Sequence, residues 1–316
     1  MFDVSCVGIL VADVLAIPVE NLPDKGLLAP VDEILLSVGG CAANAAIGLA
    51  KLGASAQIIG KLGADSFGRY VKTEVAQAGV NVDGLTETVS SQTSASVVTV
   101  SGDGERTILH CFGANASFCL DDIDFNIIRR SKILFIAGTF LMPAFDGQGA
   151  RELLKKAREA GILCCLDTAW DPSGRWMDTV SQCLPYLDWF MPSCEEAVQL
   201  SGRSMPEDMA AVFAGMGVKN VVIKLGSKGC YVKPQDADGF AVPAYSVTAA
   251  DTSGAGDAFC AGFIFGLSKN WTIEDCARFA NAAGAICVMQ AGTTAGIKSM
   301  RETLDFMQEK ATANFI

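Results

Sequence analysis

The apolar run Val4 to Val11, rich in β-branched residues, predicts a strand buried on both faces. Asp13 stands just past its end, and α/β sheets bind ligands at the carboxyl ends of strands. The plainer reading of Asp13 is a turn or cap residue. Residues 14–38 lose helical periodicity to Pro18, Pro23, Asp24, Gly26 and Pro30, and only Val31–Val38 reads as a short strand. After Gly39-Gly40, Cys41–Leu52 predicts an alanine-rich helix. Asn44 lies one turn inside it, where asparagine is mildly unfavourable, so it needs a packing partner or a ligand. Ala56–Gly60 predicts a strand and Ser66–Ala78 an amphipathic helix.

Between about 86 and 112 the chain alternates. Thr93, Ala95, Val97 and Thr99 share one face, and Ser94, Ser96, Val98 and Val100 the other. Gly102-Asp103-Gly104 is a hairpin turn signal, and Thr107–Cys111 returns. The extended pieces 14–38 and 92–112 are thus inserted among α/β units and are expected to pair into a small sheet over a larger one. From Ile133 the pattern is regular: strand Ile133–Ala137, helix 147–160, strand Ile162–Asp167, a helix ending near Leu184, strand Trp189–Met191, helix Glu195–Ser201, helix 206–216 and strand Val221–Leu225. Such alternation predicts a mostly parallel sheet with helices on both faces. A last helix, 273–289, carries Asn281.

Composition narrows the functions. The chain has 316 residues, 50% of them hydrophobic, enough for one large domain or a domain with a small appendage. Net charge is −11 without a basic run, which argues against a nucleic-acid partner. The acidity does not exclude ATP, because local dipoles and one or two cations hold phosphates. Twelve cysteines occur, but no CxxC, and Cys6, Cys164, Cys165, Cys260 and Cys287 sit in apolar segments as small core residues. His110 is the only histidine and lacks a second ligand at metal spacing, so zinc or a histidine triad is not expected. Neither a secretory signal nor an apolar run of spanning length is seen, so a cytoplasmic protein with no membrane partner is expected.

One stretch carries candidate chemistry: Asp251-Thr252-Ser253-Gly254-Ala255-Gly256-Asp257, between the extended run 241–249 and the apolar segment Ala258–Leu267. It reads as a strand end, a tight turn and a buried helix start. A helix start offers unpaired N–H groups and the positive end of the macrodipole, and glycines let an anion approach. The alternative is an ordinary strand–helix turn.

Three stretches coincide with a known pattern. Gly39-Gly40-Cys41-Ala42-Ala43-Asn44, with Leu52-Gly53 and the run Gly60 to Gly68, resembles the N-terminal signature of the ribokinase-like (PfkB) carbohydrate kinases. Asp251–Asp257 resembles their C-terminal signature. Lys224-Leu225-Gly226-Ser227-Lys228-Gly229 resembles their nucleotide-side loop, and Gly113-Ala114-Asn115-Ala116 a segment near the end of their lid. The resemblance spans the whole chain and implies a single ribokinase-like α/β domain over 1–316, with a β lid built from 14–38 and 92–112.

By that resemblance, Asp257 is the base that takes the sugar hydroxyl's proton, and Gly254, Ala255 and Gly256 form the anion hole. Asp13, Gly39, Gly40 and Asn44 match sugar-binding positions. Lys224 falls at a phosphate contact, Gly226 and Gly229 shape the loop under ribose and adenine, and Asn281 matches a position lining the adenine pocket. Turn geometry, a solvated strand end or an amphipathic helix would also account for these residues. ATP and Mg²⁺ are implied, with Glu196 ordering water around the metal, and Asp251 with a monovalent cation (K⁺) near the anion hole. Ser193 stands where the family has asparagine. Val11 and the Gly138-Thr139-Phe140 segment lack two polar sugar contacts of ribokinases proper, which argues against ribose. The expected activity is ATP-dependent phosphorylation of a primary hydroxyl on a free sugar or sugar acid, with Arg106 a candidate for a substrate carboxylate or a solvated lid residue. The alternatives are a nucleoside kinase, with Phe112 or Phe140 clamping the base, and a catalytically silent sugar-binding protein. Covering the edges of a small lid sheet predicts a homodimer.

Overall fold

A computed structural model describes residues 1–102 and 105–313. The strands are β1 (Phe2–Gly8), β2 (Val11–Ile17), β3 (Glu33–Gly39), β4 (Ala56–Gly63), β5 (Asn81–Thr88), β6 (Ala95–Val100), β7 (Arg106–Cys111), β8 (Ser131–Thr139), β9 (Leu163–Thr168), β10 (Trp189–Phe190), β11 (Asn220–Lys224), β12 (Cys230–Lys233) and β13 (Phe240–Val242). Nine form one sheet in the order β13-β12-β11-β10-β9-β8-β1-β4-β5. It is parallel except where β12 runs against β11 and β13. The other four form a second sheet, β3-β2-β6-β7.

The helices are α1 (Cys41–Leu52), α2 (Ser66–Gln77), α3 (Phe125–Ile128), α4 (Gln148–Glu159), α5 (Met177–Val180), α6 (Cys194–Ser201), α7 (Pro206–Gly215), α8 (Ala255–Ser268), α9 (Ile273–Cys287) and α10 (Met300–Ala313). They cover both faces of the large sheet. One core lies between it and α1, α2, α8 and α9, the other between it and α4, α6 and α7. A parallel sheet needs this, since both faces of its strands are apolar.

Several readings of the sequence shift. The first strand ends at Gly8, not Val11, and Val11 begins β2 of the small sheet. Asp13 therefore lies inside a lid strand, opposite Ser37 and Ser96, instead of past a central strand. The apolar run is continuous across the chain's change of sheet, so hydropathy gives no sign of it. Between Asp167 and Leu184 only Met177–Val180 is α-helical, since Pro172 and Gly174 interrupt the segment. Strands β5 and β12 lie towards the ends of the large sheet and carry too little periodicity to be read, and of the extended run 241–249 only the first residues lie in a strand, β13. Residues 103 and 104 of the expected Gly102-Asp103-Gly104 turn lie outside the described residues. All twelve cysteines are free.

Candidate active site

The first turn of α8 is the centre of the site. Gly254 caps it in the left-handed conformation (φ 73°). A Cβ on Gly254 would lie 2.0 Å from the Thr293 carbonyl oxygen, so the turn requires glycine. The first helical bond runs from the Ala258 N–H to the Gly254 oxygen at 2.8 Å. The N–H groups of Ala255, Gly256 and Asp257 precede it at the positive end of the helix. All three residues line a cleft of about 920 Å³.

Asp257 is third in α8 and faces the cleft. Burial pushes its carboxyl up to about 6, against the Asn44 hydrogen bond and the charge of Lys224. Asn44 Nδ2 donates to Asp257 Oδ2 at 2.8 Å. Small residues allow this: Ala42, Ala43, Ala45 and Ala46 are fully buried, and a Cβ on Gly48 would be 2.9 Å from that of Ala261 on α8. The helices thus approach closely enough for a short amide to reach across. Asn44 Oδ1 is buried and has no partner among the described residues. A buried acceptor without a donor is costly, and a ligand hydroxyl would satisfy it.

The cleft is also lined by Lys224, Gly226, Gly229, Ser193, Glu196 and Asn281. The Lys224 ammonium lies 2.7 Å from both oxygens of Asp167. It also faces the start of α8, 3.6 Å from where a Gly256 Cβ would be. Burial pulls the Lys224 ammonium down, but Asp167, Cys260 and Glu196 outweigh it and lift it well above the ordinary value. Burial likewise lifts Asp167, with Lys224 opposing. Two 2.7 Å contacts support the ionised pair. Ser193 and Glu196 form a capping box on α6: Ser193 Oγ accepts from the Glu196 N–H (3.3 Å) and Glu196 Oε2 from the Ser193 N–H (2.9 Å). Thr168 Oγ1 also donates to Oε2. Asn281 Nδ2 donates to the carbonyls of Val242 and Pro243, tying α9 to the cleft wall.

On the lid side, the Asp13 carboxylate lies directly over Gly39, where a Cβ would fall 1.9 Å from Oδ2. Gly40 caps α1, so Asp13, Gly39, Gly40 and Asn44 are contiguous. Arg106 is elsewhere engaged. Its guanidinium pairs with Asp251 and donates to Ser253 Oγ. Asp251 further accepts the N–H groups of Ser253 and Gly292, both at 2.8 Å. The two residues expected to meet a substrate carboxylate and a monovalent cation are thus paired with each other. The guanidinium already supplies Asp251 with its counter-charge, so these residues do not fit a cation ligand set. The two candidate base clamps are packed as well: Phe140 is buried edge-on against Trp176 (5.5 Å) and Phe112 edge-on against His110 (5.2 Å).

Residues 1–300 match the family described as pfkB family carbohydrate kinase. The chain belongs to that family. This carbohydrate kinase is 28% identical over 310 residues to a probable fructokinase-5 of Arabidopsis thaliana, covering 93% of this chain and 95% of the relative. It is 28% identical over 312 residues to the ribokinase of Haemophilus influenzae, covering 96% and 98%. The solved ribokinase of Arabidopsis thaliana complexed with ribose and ATP matches with a TM-score of 0.83 at 26% identity, over 97% of this chain and 99% of that one. The ribokinase of Thermotoga maritima matches at 0.84 and 26%, over 98% and 100%. The enzyme is a sugar kinase of ribokinase fold with a small second sheet. Among the described residues no helix is long and apolar enough to cross a membrane.

Among the cleft residues that sequence reasoning passed over are Asp167 and Cys41. Asp167 had a legible signal, a carboxylate at the carboxyl end of a buried parallel strand. Cys41, beside Asp257, had none.

Proposed function

We propose that this kinase transfers the γ-phosphoryl of ATP to a primary hydroxyl of a free sugar or sugar acid, with Asp257 as general base. The observation that carries the reading is Asp257 itself: a desolvated carboxylate lining the cleft, in the first turn of a helix whose residues Ala255 and Gly256 line the same space. Asp13 and Asn44 bind sugar hydroxyls over Gly39 and Gly40. Asn44 also orients the base. Asp257 accepts the hydroxyl proton as the oxygen attacks, and the N–H groups of Ala255 and Gly256 stabilise charge on the transferring group. Lys224, on the same side of the cleft, balances phosphate charge. Gly226, Gly229 and Asn281 shape the wall against which the nucleoside lies.

Glu196 suits Mg²⁺ held through water. Its Oε2 is committed to the capping box and Thr168, whereas Oε1 carries no hydrogen bond among the described residues and the side chain lines the cleft. Mg²⁺ would neutralise phosphate charge there.

The lid also supports a homodimer. The register aligns Leu36, Val14, Val97 and Leu109 in one apolar row across its four strands. Leu36, Val97 and Leu109 are exposed, as is Ile34 beside them. Such a surface suits a second copy.

The test is ATP consumption with D-fructose, D-ribose and D-gluconate as acceptors, for the wild type and Asp257→Asn. The variant should lose roughly 10²–10⁴-fold in kcat. For the wild type, kcat/KM should rise with pH through about 6, as Asp257 loses its proton, and level off above. Turnover that survives the substitution would remove Asp257 from this role. Sugar binding without turnover would favour a sugar-binding protein.

A further inference from the structure

The lid sheet carries a polar row that the site above does not use. The register sets Asp13 of β2 opposite Ser37 of β3 and Ser96 of β6, and Ser96 opposite His110 of β7. Directly opposed residues point to the same face of a sheet, so Ser37, Asp13, Ser96 and His110 form one line across all four strands. Arg106 lies four residues before His110 on β7 and so shares its face. It reaches the Asp251–Ser253 loop just before the anion hole, which turns this face toward the cleft.

The hydrogen bonds along the row have a direction. Ser96 Oγ and His110 Nδ1 are 3.1 Å apart. The register sets Ser96 directly opposite Asp13, and its hydroxyl opposes the rise that burial gives the Asp13 carboxyl, as a donor to the carboxylate does. A carboxylate only accepts, so the single serine proton goes to Asp13. Ser96 must then accept from His110, which assigns the Nδ1–H tautomer. Phe112, edge-on at 5.2 Å, holds the ring. Burial lowers the His110 imidazole from its ordinary value, Asp13 opposing, so the neutral ring is the form at neutral pH. In that tautomer Nε2 is an acceptor, and it has no partner among the described residues.

We propose that His110 is a specificity-determining sugar contact whose Nε2 accepts a hydrogen bond from a substrate hydroxyl beside the one bound by Asp13. The inference rests on the sugar-kinase reading and deepens it. Two acceptors fixed in one row, Asp13 and His110, select a stretch of substrate bearing neighbouring hydroxyls. They disfavour a carboxylate there, which would meet two acceptors and no donor. A sugar acid would then have to place its acid group away from this row.

Three substitutions separate contact from scaffold. His110→Asn keeps an amide N–H near Nδ1, and so the bond to Ser96, but removes Nε2. His110→Gln puts an amide oxygen near the Nε2 position. His110→Ala removes both. Calorimetric binding of D-fructose, D-ribose and D-gluconate, and of monodeoxy analogues of the tightest binder, reads the contact whether or not turnover follows. His110→Asn and His110→Ala should weaken the sugar about tenfold, His110→Gln much less, as expected for one lost hydrogen bond to a sugar hydroxyl. In turnover the loss should fall on the sugar KM, with kcat and the ATP KM within about twofold. One monodeoxy analogue should bind the wild type about tenfold more weakly than its parent, and His110→Asn no more weakly than its parent. Wild-type affinity in His110→Asn, with melting temperature unchanged, would reduce His110 to a prop for Ser96 and overturn the proposal. So would a deoxy penalty that persists undiminished in that variant, or no binding of any sugar by the wild type. Binding that follows the expected pattern without phosphorylation would leave the contact standing and sink the phosphotransfer reading instead.

Discussion

At the scale of single residues, the cleft is governed by how few positive charges face its carboxylates. Asp167, Glu196 and Asp257 line it, and Lys224 is the cation bonded within it. Lys224→Met should therefore leave Asp167 buried and unpaired, at a cost of roughly 3–5 kcal/mol in stability by denaturant unfolding. Adding Asp167→Leu should recover most of that stability, because a buried pair is readily replaced by apolar groups. ATP affinity should stay low in the double variant, since phosphate would still lack its cation. A double variant with restored ATP affinity would remove Lys224 from phosphate binding. Asn44 and the residues 254–257 were legible in the sequence because they break local rules: an asparagine inside a helix, and glycines at a helix start. The partner of Arg106 was not legible. It depends on a loop 145 residues away, and no local pattern encodes that contact.

At the scale of elements, the start of α8 and the lid are joined. Arg106 on β7 pairs with Asp251 and Ser253, immediately before the cap of α8. A closed lid should therefore hold that loop in place, and Arg106→Gln should loosen both together. The expected outcome is a several-fold higher sugar KM and a larger share of ATP hydrolysed without sugar, as water enters a poorly closed site. Coupled assays of ADP release with and without acceptor measure this, and an unchanged ratio would argue against the latch. Most long elements could be read from periodicity, α1 and α2 nearly to the residue. The handover from β1 to β2 could not, because both strands are apolar at that point and only the backbone turn between them marks the boundary.

At the scale of the whole molecule, the two faces of the small sheet differ. One carries Asp13, Ser96 and His110, the other the apolar row Leu36, Val14, Val97 and Leu109, in which Leu36, Val97 and Leu109 are exposed. If the outer row meets a second copy, sedimentation should give a dimer, and Leu109→Glu should shift it toward monomer by placing a charge in the contact. A monomeric wild type would refute the assignment. The layered α/β architecture was legible in the sequence as alternating strands and helices. The separate roles of the lid faces were not, since alternation shows that a strand has two faces without showing which one looks inward.

The chain passes between the large sheet layer and the lid four times: after Gly8, at Gly40, through residues 89–94 and at Phe112. A plate held at four points does not swing like a door. It moves as a linkage, with each attachment turning a little while the plate slides. One of those attachments, Gly40, is also the cap of the helix that carries Asn44. If Asp257 is the base, as proposed, displacement of the lid would reach it through Asn44, whose amide hydrogen-bonds it, and a sugar that seats the lid would also set the base.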